Sequence, residues 1–245
     1  MLSAPVAPVQ AAEKKAFTMP SPDAPILALD TGSPTVSLAL GDDQEILAVR
    51  SIELRQSSER LLRNLEDLLQ ETGTLLADLR GIAVLKGPGS FTGLRVGLGT
   101  VLGLHQALGL PAVALPTLQV LATAGKNALG LHDGDGVVAA VDAIRGEWMA
   151  QTFVLEGDEP QAVDLPVLKK PEQLAVMGHP VVGFGVDQLE GIDRSWSPEH
   201  LAPAALITAS GLKQWDPGTL VDPIYFRAPA TTPPKRTPRP QSSTG

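Results

Sequence analysis

Between Ile26 and Val49 the chain carries three strand patterns in immediate succession. ILALD is a short apolar run, and after a turn TVSLALGDDQEILAV alternates on both sides of a Gly-Asp-Asp turn, which places Val36, Leu38 and Leu40 on one face. Helices and strands then take turns. SSERLLRNLEDLLQETG sets Leu61, Leu62, Leu65, Leu68 and Leu69 at helical spacing, with Ser57 or Ser58 available to cap the start and Gly73 just past the end. A short helical stretch (TLLADLR), a strand (GIAVLKG), a glycine-rich loop, a helix to about Leu108, an apolar strand (PAVAL) and a helix from about Thr117 follow. Three strands joined by turns, then alternating helices and strands, predict an α/β domain on a mixed sheet.

The second half partly repeats the first. GVVAAVDAIRGEWMAQTFVLEGD is again an apolar strand ending in an aspartate, Asp142, with a tight turn and an alternating strand after it. An aspartate closing the first strand of each half, Asp30 and then Asp142, suggests two duplicated lobes. Residues 25–116 are expected to form the first lobe and residues 117–227 the second lobe with its C-terminal elements. The Ala- and Pro-rich residues 1–24 and the Pro-, Thr- and Ser-rich residues 228–245 bury too little apolar surface to offset their ordering entropy, so both are expected to be disordered.

Composition narrows the chemistry. The chain has 245 residues, of which 43% are hydrophobic, enough for one sizeable core or two small ones. Its 27 acidic and 19 basic residues give a net charge of -8, which disfavours unaided binding to a phosphate backbone. The absence of cysteine removes disulfides, thiolate zinc sites and cysteine nucleophiles. No apolar run reaches the roughly 20 residues of a spanning helix, and the N-terminus lacks the order of a signal peptide, so a cytoplasmic protein without membrane contact is expected.

Asp30-Thr31-Gly32 invites a protease reading, but an aspartic protease needs two such carboxylates sharing a proton, and the sequence has only one Asp-Thr-Gly. The loop GPGSFTG, with Gly87, Gly89, Ser90 and Gly93, sits between a strand and a helix, where backbone N–H groups can face an anion. It is neither a Walker A loop nor a dinucleotide fingerprint, and a tight structural turn explains it as well. Gly93, Gly97, Gly99 and Gly103 in the following helix each cost up to about 1 kcal/mol relative to alanine, so something approaches that backbone closely, either the protein's own sheet or a partner helix. The histidines His105, His132, His179 and His200 are scattered, HDGDG is too short for a calcium loop, and no Gly-x-Ser-x-Gly elbow is present. No metal site is expected.

Taken in order, ILALDTGSPTVSLAL, LLRNLEDLL, KGPGSFTGLRVGLGTVLGLHQALGLPAVALPTLQVLA, AVDAIRGEW and VDPIYFR resemble the bacterial TsaB (YeaZ) family from about Pro25 to Arg227. The resemblance implies an actin-like, ribonuclease H-like ATPase fold of two related lobes, each a mixed sheet flanked by helices. It also implies a non-catalytic dimerisation subunit of the machinery that attaches threonylcarbamoyl to N6 of adenosine 37 in tRNAs reading codons that begin with A. In that machinery the paralogue TsaD performs the transfer, TsaE regulates the assembly, and tRNA is met only within the complex. The chain itself would need no cofactor, with ATP and metal ions on the partner subunits.

By this resemblance Asp30, Thr31, Gly87, Gly89, Ser90, Gly93 and Asp142 are vestigial phosphate-loop residues. TsaD has a His-x-x-x-His metal pair after its Leu-Pro strand, where this chain reads PTLQVLATAGK without histidine. The helices Glu59 to Glu71 and Gly93 to Leu108 are the expected partner surface. Its candidates are Leu61, Leu62, Leu65, Leu68, Leu69, Arg95, Gly97, Gly99 and Gly103, and a homodimer through the same face is an alternative use of it. The family's frequent His and Pro near the start of the first helix are replaced here by Ser57 and Arg63. The competing readings are an active actin-like ATPase or phosphotransferase at Asp30 and Asp142 and, more remotely, a peptidase.

Overall fold

The computed structural model describes residues 21–226 apart from 22, 43, 53–56 and 158, together with the backbone but not the side chains of 57–59. The side chains of the proposed caps Ser57 and Ser58 and nearly all of the two expected disordered ends lie outside that description.

Two sheets form. In the first, β1 (Ile26–Asp30), β2 (Val36–Gly41) and β3 (Ile46–Ile52) are the antiparallel meander, and β4 (Gly81–Leu85) and β5 (Ala112–Leu115) run parallel to β1, giving the order β3-β2-β1-β4-β5. The second contains β6 (Gly136–Asp142), β7 (Trp148–Glu156), β8 (Glu159–Ala162), β9 (Val167–Lys169), β10 (Val181–Val182) and β11 (Ser195–Trp196). Its order is β11-β10-β6-β7-β8, with β7 and β8 antiparallel to their neighbours, β10 and β11 parallel to β6, and β9 on β7. Each sheet therefore has its first strand in the centre, two antiparallel strands on one side and two parallel strands on the other. This is the duplicated, two-lobed arrangement expected of an actin-like fold, and it puts Asp30 and Asp142 at equivalent strand ends.

Among the described residues five α-helices fill the layers: α1 (Ser57–Thr72), α2 (Phe91–Leu108), α3 (Thr117–Ala128), α4 (Pro171–Ala175) and α5 (Ala202–Ser210). α1 and α2 cover one face of the first sheet, where Leu61, Leu65, Leu68, Leu98 and Val101 pack with Leu27, Leu29, Val36, Leu38 and Leu40. α3 and α5 lie between the sheets. Leu118, Leu121 and Leu206 share a core with Ile26, Ala28 and Leu85 of the first sheet and with Val137, Ala139 and Val141 of the second. Leu174 of α4 closes the outer face of the second sheet over Val138, Ala140 and Trp148.

Local signals fix the helix ends. Gly73 follows α1 with φ at 66°, and Gly109, at 74°, ends α2 with its N–H donated to the His105 carbonyl. TLLADLR forms only a single 3-10 turn, Leu76–Asp78. The alternation in β2 marks one buried face, yet every β2 residue is buried, because α5 packs on the other side and its Ala202 N–H donates to Ser37 Oγ at 3.2 Å. Among the described residues no helix is long and apolar enough to cross a membrane.

Candidate functional site

The first-sheet loops that would cradle a phosphate are packed onto each other. Asp30 is fully buried at the end of β1, and its Oδ1 accepts the N–H groups of Gly32 (3.0 Å) and Ser33 (3.1 Å). Gly32 in turn accepts the Ser90 N–H through its carbonyl at 2.8 Å. Ser90 Oγ caps α2 by accepting the Gly93 N–H at 3.3 Å. Thr31 Oγ1 donates to the Gly93 carbonyl at 2.7 Å. The N–H groups of Gly32, Ser33, Ser90 and Gly93, which an anion would need, thus already have acceptors within the protein.

Close approach explains the glycines on this side. A Cβ on Gly93 would run into the Thr31 carbonyl, one on Gly97 into Thr31 Oγ1, and one on Gly89 would lie 2.7 Å from the Gly32 carbonyl. Gly87 abuts the Ile224 carbonyl, and its own carbonyl accepts the Thr117 N–H at 2.8 Å. Gly97, offered as a partner residue, therefore belongs to the chain's own packing. Gly99 and Gly103 differ, because a Cβ there would meet nothing within 4 Å.

α2 thus presents two opposite stripes at four-residue spacing. Gly93, Gly97 and Val101 are buried and face the sheet, whereas Phe91, Arg95, Gly99 and Gly103 are exposed. Burial also settles the α1 leucines. Leu61, Leu65, Leu68 and Leu69 are 1%, 2%, 0% and 7% exposed and belong to the core that α1 and α2 close over the first sheet. Only Leu62, at 52%, remains for a partner. Arg95 is also engaged internally: its guanidinium lies 3.9 Å over the Phe91 ring, and its Nε reaches Tyr225 Oη at 3.4 Å. Phe91 and Tyr225 are in ring contact at 4.8 Å. Tyr225 lies in the VDPIYFR stretch, whose contact with α2 no local pattern revealed. The same stretch holds the glycine loop, since Ile224 N–H donates to the Lys86 carbonyl at 2.7 Å and Lys86 pairs with Asp222 at 3.7 Å.

The two turns have different electrostatics. Asp142 is exposed, and its Oδ1 accepts the Ile144 N–H at 2.8 Å. Beyond it Ile144, Arg145 and Gly146 have φ of 66°, 64° and 75°, a left-handed run that strains a β-branched isoleucine. Asp30 Oδ2, by contrast, is buried without a hydrogen-bond partner. Burial pushes its pKa up to about 6, against hydrogen bonds from Ser33 and Gly32 that lower it. Among the described residues no three His, Asp or Glu side chains gather as a metal site. The segment PTLQVLATAGK forms the start of α3, where Thr117 Oγ1 is buried without a partner. Among the described residues the loop N–H groups that could hold a phosphate are taken by acceptors within the protein, and no cluster of metal-ligating side chains gathers at Asp30.

The raised Asp30 pKa has a definite sign. Between about pH 4 and pH 6 the unfolded chain has released this proton while the folded chain retains it, so stability falls as pH rises through that window. The full penalty is present above about pH 6. Asp30→Asn is expected to match the wild type near pH 4 and to become more stable by up to about 3 kcal/mol at pH 7. Urea denaturation at the two pH values measures this, and an equal difference at both would refute it.

The family model described as TsaD, tRNA N6-adenosine threonylcarbamoyltransferase, matches residues 49–211. The tRNA threonylcarbamoyladenosine biosynthesis protein TsaB of Escherichia coli is 34% identical over 158 residues, 61% of this chain and 67% of that protein. Its Haemophilus influenzae namesake is 36% identical over 122 residues, 50% of each, so the chain spans about half the length of that relative. The solved structure of YeaZ from Pseudomonas aeruginosa superposes with a TM-score of 0.64 at 28% identity, covering 76% of this chain and 91% of that one. The relatives and the structural neighbour agree: this chain belongs to the TsaB (YeaZ) family.

Proposed function

We propose that this chain is a non-catalytic scaffold that pairs with TsaD in the machinery that places threonylcarbamoyl on N6 of adenosine 37 of tRNA. The observation that carries this reading is the contrast between the two sides of α2. Its inner side fills the former phosphate site with the protein's own hydrogen bonds, while its outer side offers Gly99 and Gly103 as open ground on which another helix can lie close. Leu62 of α1, 52% exposed, supplies a further apolar contact. The net charge of -8 assigns the tRNA-facing surface mainly to partner subunits. TsaE, ATP and metal ions belong to those partners, in the cytoplasm.

Reconstitution tests this. The chain alone is expected to leave tRNA unmodified, and adding it to TsaD of the same genome, with TsaE, tRNA, ATP and the threonylcarbamoyl donor, is expected to raise modification at least tenfold. No change on its addition would sink the reading.

One observation favours a second reading: the orphaned Asp30 Oδ2, in the position where active relatives of the fold handle phosphate and metal. Calorimetry with Mg-ATP separates the two. The scaffold reading expects no micromolar binding, whereas micromolar binding lost in Asp30→Ala would establish a nucleotide site.

A further inference from the structure

Ten glycines take positive φ among the described residues, and the only other residues there to do so are Ile144 and Arg145, neighbours in the turn between β6 and β7. The left-handed region is costly for any side chain and most of all for a β-branched one, so glycine would suit both positions if only the fold mattered. Neither side chain is used inside the protein. Ile144 is 70% exposed, and Arg145 is exposed with no salt bridge among the described residues. The turn's own bonds engage the N–H groups of Ala143, Ile144 and Glu147, and among the described residues those of Arg145 and Gly146 meet no acceptor. Side chains held outward at such a cost mark a functional position.

Charge shows what they meet. Acids dominate the second sheet, and from Gly136 to Trp196 the only lysines and arginines are Arg145, Lys169, Lys170 and Arg194. Arg194 is taken up by the Leu129 carbonyl. The other three gather at one end of the sheet. Trp148, where the chain leaves the turn, is paired with Lys169 of β9, one strand or about 4.8 Å away. Lys169 is half-buried and Lys170 exposed, and among the described residues neither forms a salt bridge. Asp142, Glu147 and Glu172 lie close by in the sequence, so the field is weak at long range and the cations act by contact. They are spread over two neighbouring segments instead of converging on one point, which suits a row of phosphates better than a single anion. Ile144 adds an apolar surface that a ribose or base can cover.

We propose that the β6–β7 turn, with Lys169 and Lys170 beside it, is this chain's own contact with the phosphate backbone of tRNA. The occasion for the contact rests on the pairing with TsaD proposed above. TsaD brings the tRNA, and the turn adds a short-range grip that a chain of net charge -8 would sustain only feebly alone.

Fluorescence anisotropy of labelled tRNA, titrated with the full chain and TsaD of the same genome at about 50 and about 200 mM KCl, tests this. Arg145→Gly is the most informative variant, because it relieves the left-handed backbone while it removes the cation. It is expected to raise the urea midpoint of the chain, to weaken tRNA binding about fivefold and to lower the slope of log K against log salt by about 1. A purely structural role for Arg145 would leave affinity and slope unmoved. Lys170→Glu is expected to weaken binding by a similar factor, and Arg145→Lys, which keeps the charge, to stay within about twofold of wild type. Wild-type affinity and slope in the Arg145→Gly, Lys170→Glu double variant would overturn the proposal. So would a folded double variant that no longer co-elutes with TsaD, which would place a protein on the turn. A wild-type chain that ignores TsaD would sink the scaffold reading alone, and titration of tRNA with the chain by itself at about 20 mM KCl then decides. Binding lost in the double variant would uphold the contact, and equal or absent binding in both would overturn it.

Discussion

Gly93→Ala is expected to lose at least about 3 kcal/mol of stability or to fail to fold, whereas Gly99→Ala and Gly103→Ala become more stable by up to about 1 kcal/mol. All three glycines lie in one helix, so propensity alone predicts a gain at each. Geometry decides the sign. The new methyl at position 93 would collide with the Thr31 carbonyl, which cannot move aside without breaking the bond from Thr31 Oγ1 to the Gly93 carbonyl and pulling the buried Asp30 turn with it. At positions 99 and 103 the methyl enters open space. Denaturant titration gives the three values, and a stable Gly93→Ala protein would remove the account of the closed loops. The two stabilised variants carry a functional consequence: if a partner helix lies against these glycines, added methyls weaken its binding although the subunit itself is firmer.

Leu65→Glu and Leu62→Glu are expected to fail in different ways. Leu65 is 2% exposed in the core beneath the first sheet, so a glutamate there places a carboxylate among leucines without a partner, at a cost comparable to the whole stability of a domain, about 5–15 kcal/mol. Leu62, at 52% exposure on the same helix, tolerates the change within about 1 kcal/mol and should lose only its association with TsaD. Circular dichroism with thermal melting separates the outcomes. A folded Leu65→Glu protein would show that α1 is not the cover of the sheet.

The meander, α1, α2, α3 and the repeated strand-to-aspartate turn were legible because each is local: period-two or helical spacing closed by a glycine. The short strands β10 and β11, of two residues each, carry no period to read. α5, APAALITAS, lies between the two sheets and is largely apolar around its circumference, so it has no polar face to betray it, and with it went the reason that both faces of β2 are buried. At the site the two loops were recognisable, but their contact joins Thr31 to Gly93 across 62 positions, beyond any local pattern. The glycine stripes could have been sorted. Arg95 shares a stripe with Gly99 and Gly103 and Val101 shares one with Gly93 and Gly97, so the charged stripe marks the outward side. The leucines of α1 had a plain claimant in the chain's own sheet, and that claim leaves only Leu62 over.

The central claim is that the outer side of α1 and α2 receives TsaD. Size-exclusion chromatography with light scattering, on the chain mixed with TsaD of the same genome, measures it directly. The account predicts a complex containing both proteins for wild type and none for Leu62→Glu combined with Gly103→Leu, with the variant still folded by circular dichroism. A complex that persists in the Leu62→Glu, Gly103→Leu variant, or wild-type protein that elutes apart from a folded TsaD, would contradict it.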